Sequence, residues 1–299
     1  MPNSPQGIAA LASFCRMHRV ELVVMEATGG YEQRAFALLW AEGLPVAIVN
    51  PRAVRRFAEG MGLEEKTDAI DAGMIAWFAA TRRTQAQPPA SPAQLHLRAL
   101  VTRLRQLTLV RAAQRNQRRL VTDGAVLAMT DQLLGFVEQQ IGDLETAIAA
   151  LLASDPLWQQ LEQAFRSIKG VASRTVARLM ADMPEIGTLS GKAISKLAGL
   201  APLARDSGKH QGRRIIRGGR APVREILFVV ASVAARYEPD FVAFHQRLRR
   251  AGKPPKVARI ALAHKLLVRL NAKARDVRHH LAATSLSGGS LVVTENASS

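Results

Sequence analysis

Two short, Val-rich runs near the N-terminus limit the fold of this chain most strongly. The first is VELVVMEA at residues 20–27, and the second is PVAIVNP at residues 45–51. Runs of this length, apolar and β-branched, are typical of buried strands. The helical pattern YEQRAFALLWAEG lies between them and ends at Gly43. Strand–helix–strand order predicts parallel pairing with a right-handed crossover, and therefore an α/β domain over residues 1–85.

Beyond this region the pattern is helical. A Pro-rich linker, AQPPASPAQ, is followed by Leu97, Leu100, Leu104 and Leu107, which have the spacing of a helical seam surrounded by Arg. The segment DGAVLAMTD is expected to break two long helices, either as an antiparallel pair or as a dimerising arm; a solvated basic helix is the alternative. We therefore predict an arm at 86–165, a helical C-terminal domain at 166–280, and a disordered Ser- and Thr-rich tail at 281–299.

The charge of the chain indicates a polyanionic partner. Lys and Arg total 41 against 24 acidic residues, and residues 201–280 carry 19 of the basic residues but only 5 acidic ones, a net +14 of the overall +17. This distribution favours nucleic acid as the partner. The apolar runs all fall short of the ~20 residues that span a membrane. With one cysteine, Cys15, and an N-terminal region interrupted by basic residues, the sequence predicts a cytoplasmic protein.

Two features of the C-terminal half suggest contact with phosphate. SIKGVASRTVARLMADM places Lys169 and Gly170 in a tight turn between helices, which resembles a helix-hairpin-helix; an ordinary helix turn is the alternative. The segment LARDSGKHQGRRIIRGGRAP is rich in Gly and basic residues, so we predict a loop or short β-ribbon. Its candidate nucleic-acid ligands are Lys209, Arg213, Arg214 and Arg217.

Three carboxylates in the N-terminal region are candidate metal ligands. Asp68 and Asp71 are three residues apart, on one face of a predicted helix, where like charges repel slightly. Helix capping by Thr67 and Asp68 is the simpler explanation. However, Glu26 ends a buried strand, where α/β folds place functional side chains. If the helix packs at that strand end, the three acids could hold Mg²⁺, and two such ions can stabilise both oxygens of a phosphodiester displacement.

Ser207, within RDSGKHQGRR, is a candidate nucleophile. Turn chemistry before Gly208 is the simpler explanation for this serine. A hydroxyl that attacks phosphorus needs cations for the developing charge, and Lys209, Arg213 and Arg214 are close in sequence. The nearby His210 is not established as a general base by its position alone.

Six segments together resemble the insertion-sequence 110 family of transposases, the DEDD-type DNA recombinases. They span most of residues 5–275 and are VVMEATGGYE, VAIVNPRAVRRFAEGMG, KTDAIDAGMIAWFA, IKGVASRTVARLMADMPEIG, KLAGLAPLARDSGKHQGRR and AGKPPKVARIALAHKLL. The order and spacing of the six make the resemblance far more specific than any one motif.

The resemblance implies a fold and a mechanism. It implies an RNase H-like N-terminal domain in which Glu26, Asp68 and Asp71 match the second, third and fourth acids of a Mg²⁺ site. Ser207 matches the serine that forms a 5′-phosphoserine link during strand exchange between element ends and target DNA, with no external energy source. Members of the family act as homo-oligomers, dimers or tetramers, with a structured bridge RNA that pairs with donor and target DNA.

The chain departs from the family pattern at the first acid. In the family an initial Asp, in a GxD context, precedes the Glu by some tens of residues, whereas here Glu21 is the only acid before Glu26. We therefore expect an N-terminally truncated RNase H-like domain, with its first strands missing and its transposition activity absent or impaired. The alternatives are a non-catalytic nucleic-acid-binding protein and a metal-dependent nuclease that forms no serine link.

Overall fold

The computed structural model describes residues 2–63, 68–204, 206, 212 and 214–288, without the side chains of 68–70 and 285–288. It is mostly helical, with one small parallel sheet, and divides into two compact units, 1–91 and 92–299. The elements are α1 (Pro5–Met17), β1 (Val23–Glu26), α2 (Glu32–Ala41), β2 (Val46–Val49), α3 (Pro51–Gly60), α4 (Asp68–Arg82), α5 (Pro92–Arg118), α6 (Gly124–Ser154), α7 (Pro156–Arg166), α8 (Ser173–Asp182), α9 (Gly191–Leu197), α10 (Ala221–Tyr237), α11 (Pro239–Arg250) and α12 (Pro255–Gly288).

The two predicted strands pair in parallel, as the strand–helix–strand order indicates. Val23 of β1 lies opposite Val46 of β2, and Glu26 lies opposite Val49. Side chains alternate across a strand, so Val23 and Met25 face one side of the sheet and pack with the buried residues of α1 and α2. The α/β order predicted for residues 1–85 is thus confirmed, from α1 through α4.

The other side of the sheet is covered by α3 and α4. Val24 and Val49 pack there with Val54 of α3 and with Met74 and Phe78 of α4. Met74 and Phe78 are four residues apart, so they lie on one stripe of the helix. This stripe fixes α4 against β1, on the side that Glu26 also faces.

In the second unit, α5 and α6 form an antiparallel hairpin. Leu97, Leu104 and Leu107 of the predicted seam are buried. The break between the helices comes earlier than predicted, at residues 119–123, because Asp123 caps α6: its carboxylate accepts from the Val126 amide at 3.0 Å. The DGAVLAMTD segment is therefore the first turns of α6.

Ion pairs join the two helices near the turn of this hairpin. Arg115 contacts Glu138 and Arg118 contacts Asp131, each at 2.5 Å. The two arginines, predicted to surround the seam as a basic surface, therefore stabilise the hairpin itself.

Helices α7 to α12 share one apolar core with the hairpin. Asn271 of α12 is buried; its side chain accepts from the Gly187 amide at 2.8 Å and donates to the Leu189 carbonyl at 2.9 Å. This polar contact fixes the turn between α8 and α9 against α12. The contact thereby supports the region from which the loop after α9 begins.

The structure differs from the sequence predictions at two further chain segments. The helix α5 begins at Pro92, inside the predicted linker, because proline is well tolerated in a first helical turn. Helix α12 continues to Gly288, past the point at which a disordered tail was expected, and residues 289–299 lie outside the described part. Within the described residues, none of the helices is long and apolar enough to cross a membrane.

Candidate active site

Strand alternation and one helix stripe bring two of the three predicted acids together. Glu26 is the last residue of β1, and it points to the side of α3 and α4, as Val24 does two residues earlier. Asp71 lies one helical turn before Met74 on α4. Both side chains are half-buried, and both line one cavity of about 400 Å³. The sequence analysis expected Glu26, Asp68 and Asp71 to converge; the shared cavity includes the first and the last of them, and their role as ligands stays a prediction.

Asp68, the third predicted acid, is only partly located. It is the first residue of α4, one turn before Asp71. Its side chain lies outside the described residues, so its role as a ligand stays a prediction. Glu59, which the sequence analysis did not single out, lines the same cavity as Glu26 and Asp71.

Three arginines from α3 complete the wall of this cavity. Arg52, Arg55 and Arg56 are exposed, and all three line it. Asn50 caps the helix by accepting from the Arg52 amide at 2.9 Å, and Arg55 pairs with Glu59 at 3.2 Å. The cavity therefore combines half-buried carboxylates with exposed guanidinium groups that suit phosphate.

The carboxylates have the chemistry of a Mg²⁺ site, since Mg²⁺ takes oxygen ligands and usually one or two carboxylates. In the part of the chain that the structure describes, however, no three His, Cys, Asp or Glu side chains are grouped as a metal site would require. The role of Glu26, Asp71 and Asp68 as ligands of one ion therefore stays a prediction.

Glu32, which the sequence analysis missed, organises the turn after β1. Its carboxylate accepts from the amides of Thr28 and Gly30, each at 2.9 Å, and from the Gln33 side chain at 2.9 Å. Burial raises the pKa of Glu32, but these hydrogen bonds outweigh burial and lower the pKa to about 2. Glu32 is therefore a fixed anion that shapes the chain just after Glu26.

The loop that carries Ser207 is closed at its base. Leu203 and Ile215 form an antiparallel bridge, in which the Leu203 amide donates to the Ile215 carbonyl at 2.8 Å. Asp206 accepts from the Gly212 amide at 3.1 Å and from Arg214 at 2.6 Å. This confirms a short β-ribbon at the loop base. Ser207, Lys209 and Arg213 lie outside the described residues.

A close backbone approach anchors the same loop to α9. Gly199 and Gly219 are so close that a Cβ on Gly219 would come within 2.1 Å of the Gly199 nitrogen. Arg220 then donates to both carboxylate oxygens of Glu185 at 2.6 Å. Burial raises the pKa of Glu185, but the Arg220 guanidinium outweighs this and lowers the pKa overall. These two contacts therefore hold the base of the loop in place.

The predicted phosphate-binding turn has a partner within the chain. Gly170 adopts a positive φ of 95°, as a tight turn between α7 and α8 requires. The Lys169 amide donates to Glu238 at 3.3 Å, so a carboxylate stands where a phosphate was expected. The side chain of Lys169 is exposed, as are those of Arg214 and Arg217. These three side chains can contact nucleic acid, whereas the backbone amide of Lys169 is already bound to Glu238.

Comparison with known proteins agrees with the resemblance. A family model described as Transposase (DEDD_Tnp_IS110) matches residues 1–125, and a second, described as Transposase IS116/IS110/IS902 family, matches residues 162–246. The pilin gene-inverting proteins of Moraxella lacunata and Moraxella bovis are each 27% identical over 278 residues, which cover 89% of this chain and 84% of each relative. The chain belongs to the IS110 family of transposases, which are DNA recombinases.

Proposed function

We propose that this chain cleaves and exchanges DNA strands with a serine nucleophile and Mg²⁺-binding carboxylates, and that its first unit is an RNase H-like domain. The observation that carries the proposal is the shared cavity of Glu26 and Asp71, with Arg52, Arg55 and Arg56 in its wall. Carboxylates and guanidinium groups at one site suit a cation and a phosphodiester together. A purely structural role for Asp71 would not need Glu26 beside it.

The residues of the first unit would bind and orient the scissile phosphate. Glu26 and Asp71, with Asp68, would hold the ion, and the arginines of α3 would contact non-bridging phosphate oxygens. When bound, Mg²⁺ supplies electrophilic stabilisation of the charge that develops on the phosphate. Glu32 would keep the turn after Glu26 in place through its amide contacts.

The chemical step belongs to Ser207 in this proposal. Its Oγ attacks phosphorus and forms a 5′-phosphoserine bond while the bond from phosphorus to the 3′-oxygen breaks. The proton lost by the serine is balanced by the proton that the released 3′-oxygen gains as it becomes a 3′-hydroxyl. Attack by the 3′-hydroxyl of another strand reverses these changes, so the phosphodiester energy is conserved. Asp206, which binds Arg214, directly precedes the serine in the chain.

The partners follow from charge and from an exposed apolar face. The net +14 of residues 201–280 favours DNA and a structured bridge RNA as ligands. Met129, Leu133 and Phe136 lie on one stripe of α6 and are 68%, 43% and 61% exposed. We assign this stripe to pairing with a second copy of the chain, which makes the protein a homo-oligomer. A DNA substrate and a single cysteine fit a cytoplasmic location.

The names of the Moraxella relatives refer to pilin gene inversion. Inversion is strand exchange between two sites on one DNA molecule, which is compatible with the exchange proposed here.

A denaturing gel separates the proposed function from its alternatives. The full chain is incubated for a long period with end-labelled DNA containing the element ends, bridge RNA and Mg²⁺. We expect a covalent protein–DNA adduct with the wild type and none with Ser207→Ala. Ser190→Ala, at the N-terminus of α9, is the serine control and should form the adduct as the wild type does. Cleavage without an adduct would instead identify a nuclease, and binding with neither would identify a non-catalytic protein.

A further inference from the structure

A second cavity, of about 740 Å³, lies beside the ribbon base in the second unit. Pro202, Arg214 and Ile216, which flank the Leu203–Ile215 bridge, form one of its walls. Its volume falls within the roughly 300–1,000 Å³ typical of small-molecule sites. The mechanism proposed above assigns it no role.

One stripe of α12 forms the opposite wall. The stripe consists of Val257, Ile260, Ala261, His264, Lys265, Val268, Arg269 and Ala272, spaced by one, three or four residues. Val257 and Val268 are 49% and 37% exposed, so this apolar surface is open to solvent. Burial lowers the pKa of His264, so it disfavours the charged form of the imidazole. Apart from Lys265 and Arg269, the wall is therefore mostly apolar and includes the flat His264 ring.

The charges at this cavity are positive. Arg269 pairs with Glu238 at 3.2 Å and with Asp240 at 3.5 Å, and Arg214 pairs with Asp206. Lys265 donates to the Asp240 carbonyl at 3.2 Å, and its Nζ is 4.7 Å from the Phe244 ring centroid. Among the described side chains, no carboxylate forms an ion pair with Lys265. An apolar interior with cations around it is complementary to a nucleotide, whose base is apolar on its faces and whose phosphate is an anion.

We infer that this cavity binds a single unpaired nucleotide of the DNA, with the base between α12 and the ribbon base and the phosphate on Lys265 and Arg214. A base within a duplex cannot enter, so it must first leave the stack, as bases do in enzymes that flip them. The inference deepens the proposed recombinase function and rests on it for the choice of DNA as ligand.

The test compares the binding of two DNA duplexes by the full-length chain. One duplex carries a single unpaired thymidine, and the other is identical but fully paired. Stacking of one base is worth enough to give the wild type about a tenfold preference for the first duplex. Ala261→Trp, which fills the cavity, should abolish the preference and leave the affinity for the paired duplex unchanged, whereas Ala283→Trp, exposed on the same helix, should retain the preference.

Charge variants provide a second comparison. Lys265→Gln should weaken binding of the bulged duplex more than that of the paired one. Lys256→Gln removes the same charge nine residues away, on the opposite face of α12, and should weaken both duplexes equally. If circular dichroism shows that Ala261→Trp is unfolded, Val257→Asp replaces it, because Val257 is an exposed residue of the wall. This variant should likewise lose the preference for the duplex with the unpaired thymidine.

The outcomes separate this inference from the proposed function. Equal binding of both duplexes by the wild type, or an equal loss for both in Ala261→Trp, would overturn the inference. A change in oligomeric state in Ala261→Trp with the preference intact would also overturn it and assign the cavity to protein contact. Ser207→Ala should keep the preference, so a missing adduct with an intact preference would count against the serine mechanism alone.

Discussion

At the residue scale, two carboxylates that follow each other closely in sequence have different roles because their surroundings differ. Glu26 lines a cavity together with Asp71 and the three arginines of α3, so its carboxylate is available to a ligand that enters the cavity. Glu32 is already surrounded by hydrogen-bond donors of its own chain, so it has little capacity left for a ligand. Glu26 could be predicted from the end of an apolar strand, whereas Glu32 could not, because its donors depend on the turn conformation.

The pKa of Glu32 leads to a prediction about pH. Because the folded pKa is about 2 and the ordinary value is 4.5, the carboxylate stabilises the turn fully above pH 4.5, and this contribution is lost as pH falls from 4.5 toward 2. Glu32→Gln should destabilise the turn by about 1–2 kcal/mol at pH 7, allowing for partial solvent exposure. Hydrogen exchange of the amides at residues 23–33 measures this.

Glu21→Gln is the control, since Glu21 is an exposed glutamate just before the same strand. Its amide exchange should match that of the wild type. The difference between Glu32→Gln and the wild type should narrow as pH falls, and a difference that stays constant down to about pH 2 would contradict the assigned cause.

At the element scale, the loop of Ser207 depends on contacts that lie far from it in sequence. Its base is held by Gly199 against Gly219 and by Arg220 on Glu185. Composition was enough to predict a loop or ribbon, because Gly and basic residues dominate it. Its anchoring could not be predicted, since Glu185 and Arg220 are 35 residues apart and no local pattern links them.

Two neighbouring glycines test this anchor. Gly218 and Gly219 have φ values of 73° and 68°, so alanine strains either by about 1 kcal/mol. Only Gly219→Ala also meets the Gly199 backbone, while a Cβ on Gly218 has open space. Gly219→Ala should therefore lower the free energy of unfolding by about 1–3 kcal/mol more than Gly218→Ala does, which is the usual cost of overpacking. The melting temperatures of the two variants give the comparison, and equal values would show that the close approach is unimportant.

The arm shows the limit of prediction at this scale. The Leu seam identified α5 correctly, since Leu97, Leu104 and Leu107 are buried. The break was misplaced because Asp123 and Gly124 were interpreted as interrupting a helix, whereas the Asp123 side chain starts one. An N-cap and a helix breaker have similar composition, and only the position of the next apolar stripe distinguishes them.

At the scale of the whole molecule, the predicted catalytic residues are distributed over both units of the chain. The acids belong to residues 1–91, and the predicted nucleophile and most of the net charge belong to residues 92–299. Charge could be predicted from sequence, whereas the cavity along α12 could not. Its lining residues have ordinary core spacing, and only the fold shows that Val257 and Val268 remain exposed.

Oligomer formation is the prediction that belongs to this scale. The double variant Met129→Glu, Phe136→Glu places charge on the exposed stripe of α6 and should yield a monomer by light scattering after size-exclusion chromatography. Val229→Glu, at a 58% exposed position of α10, is the matched control and should keep the wild-type mass. An unchanged mass in the double variant would show that the stripe does not form the interface.

The central claim is that Glu26 and Asp71 bind one cation, and binding of Mn²⁺ in place of Mg²⁺ measures this directly without requiring activity. Electron paramagnetic resonance should show that the wild type depletes free Mn²⁺. Glu26→Gln and Asp71→Asn should each weaken binding by about tenfold or more, because each removes one charged ligand. Glu21→Gln, which removes an exposed carboxylate outside this cavity, should bind as the wild type does; equal Mn²⁺ affinity in all four proteins would contradict the account.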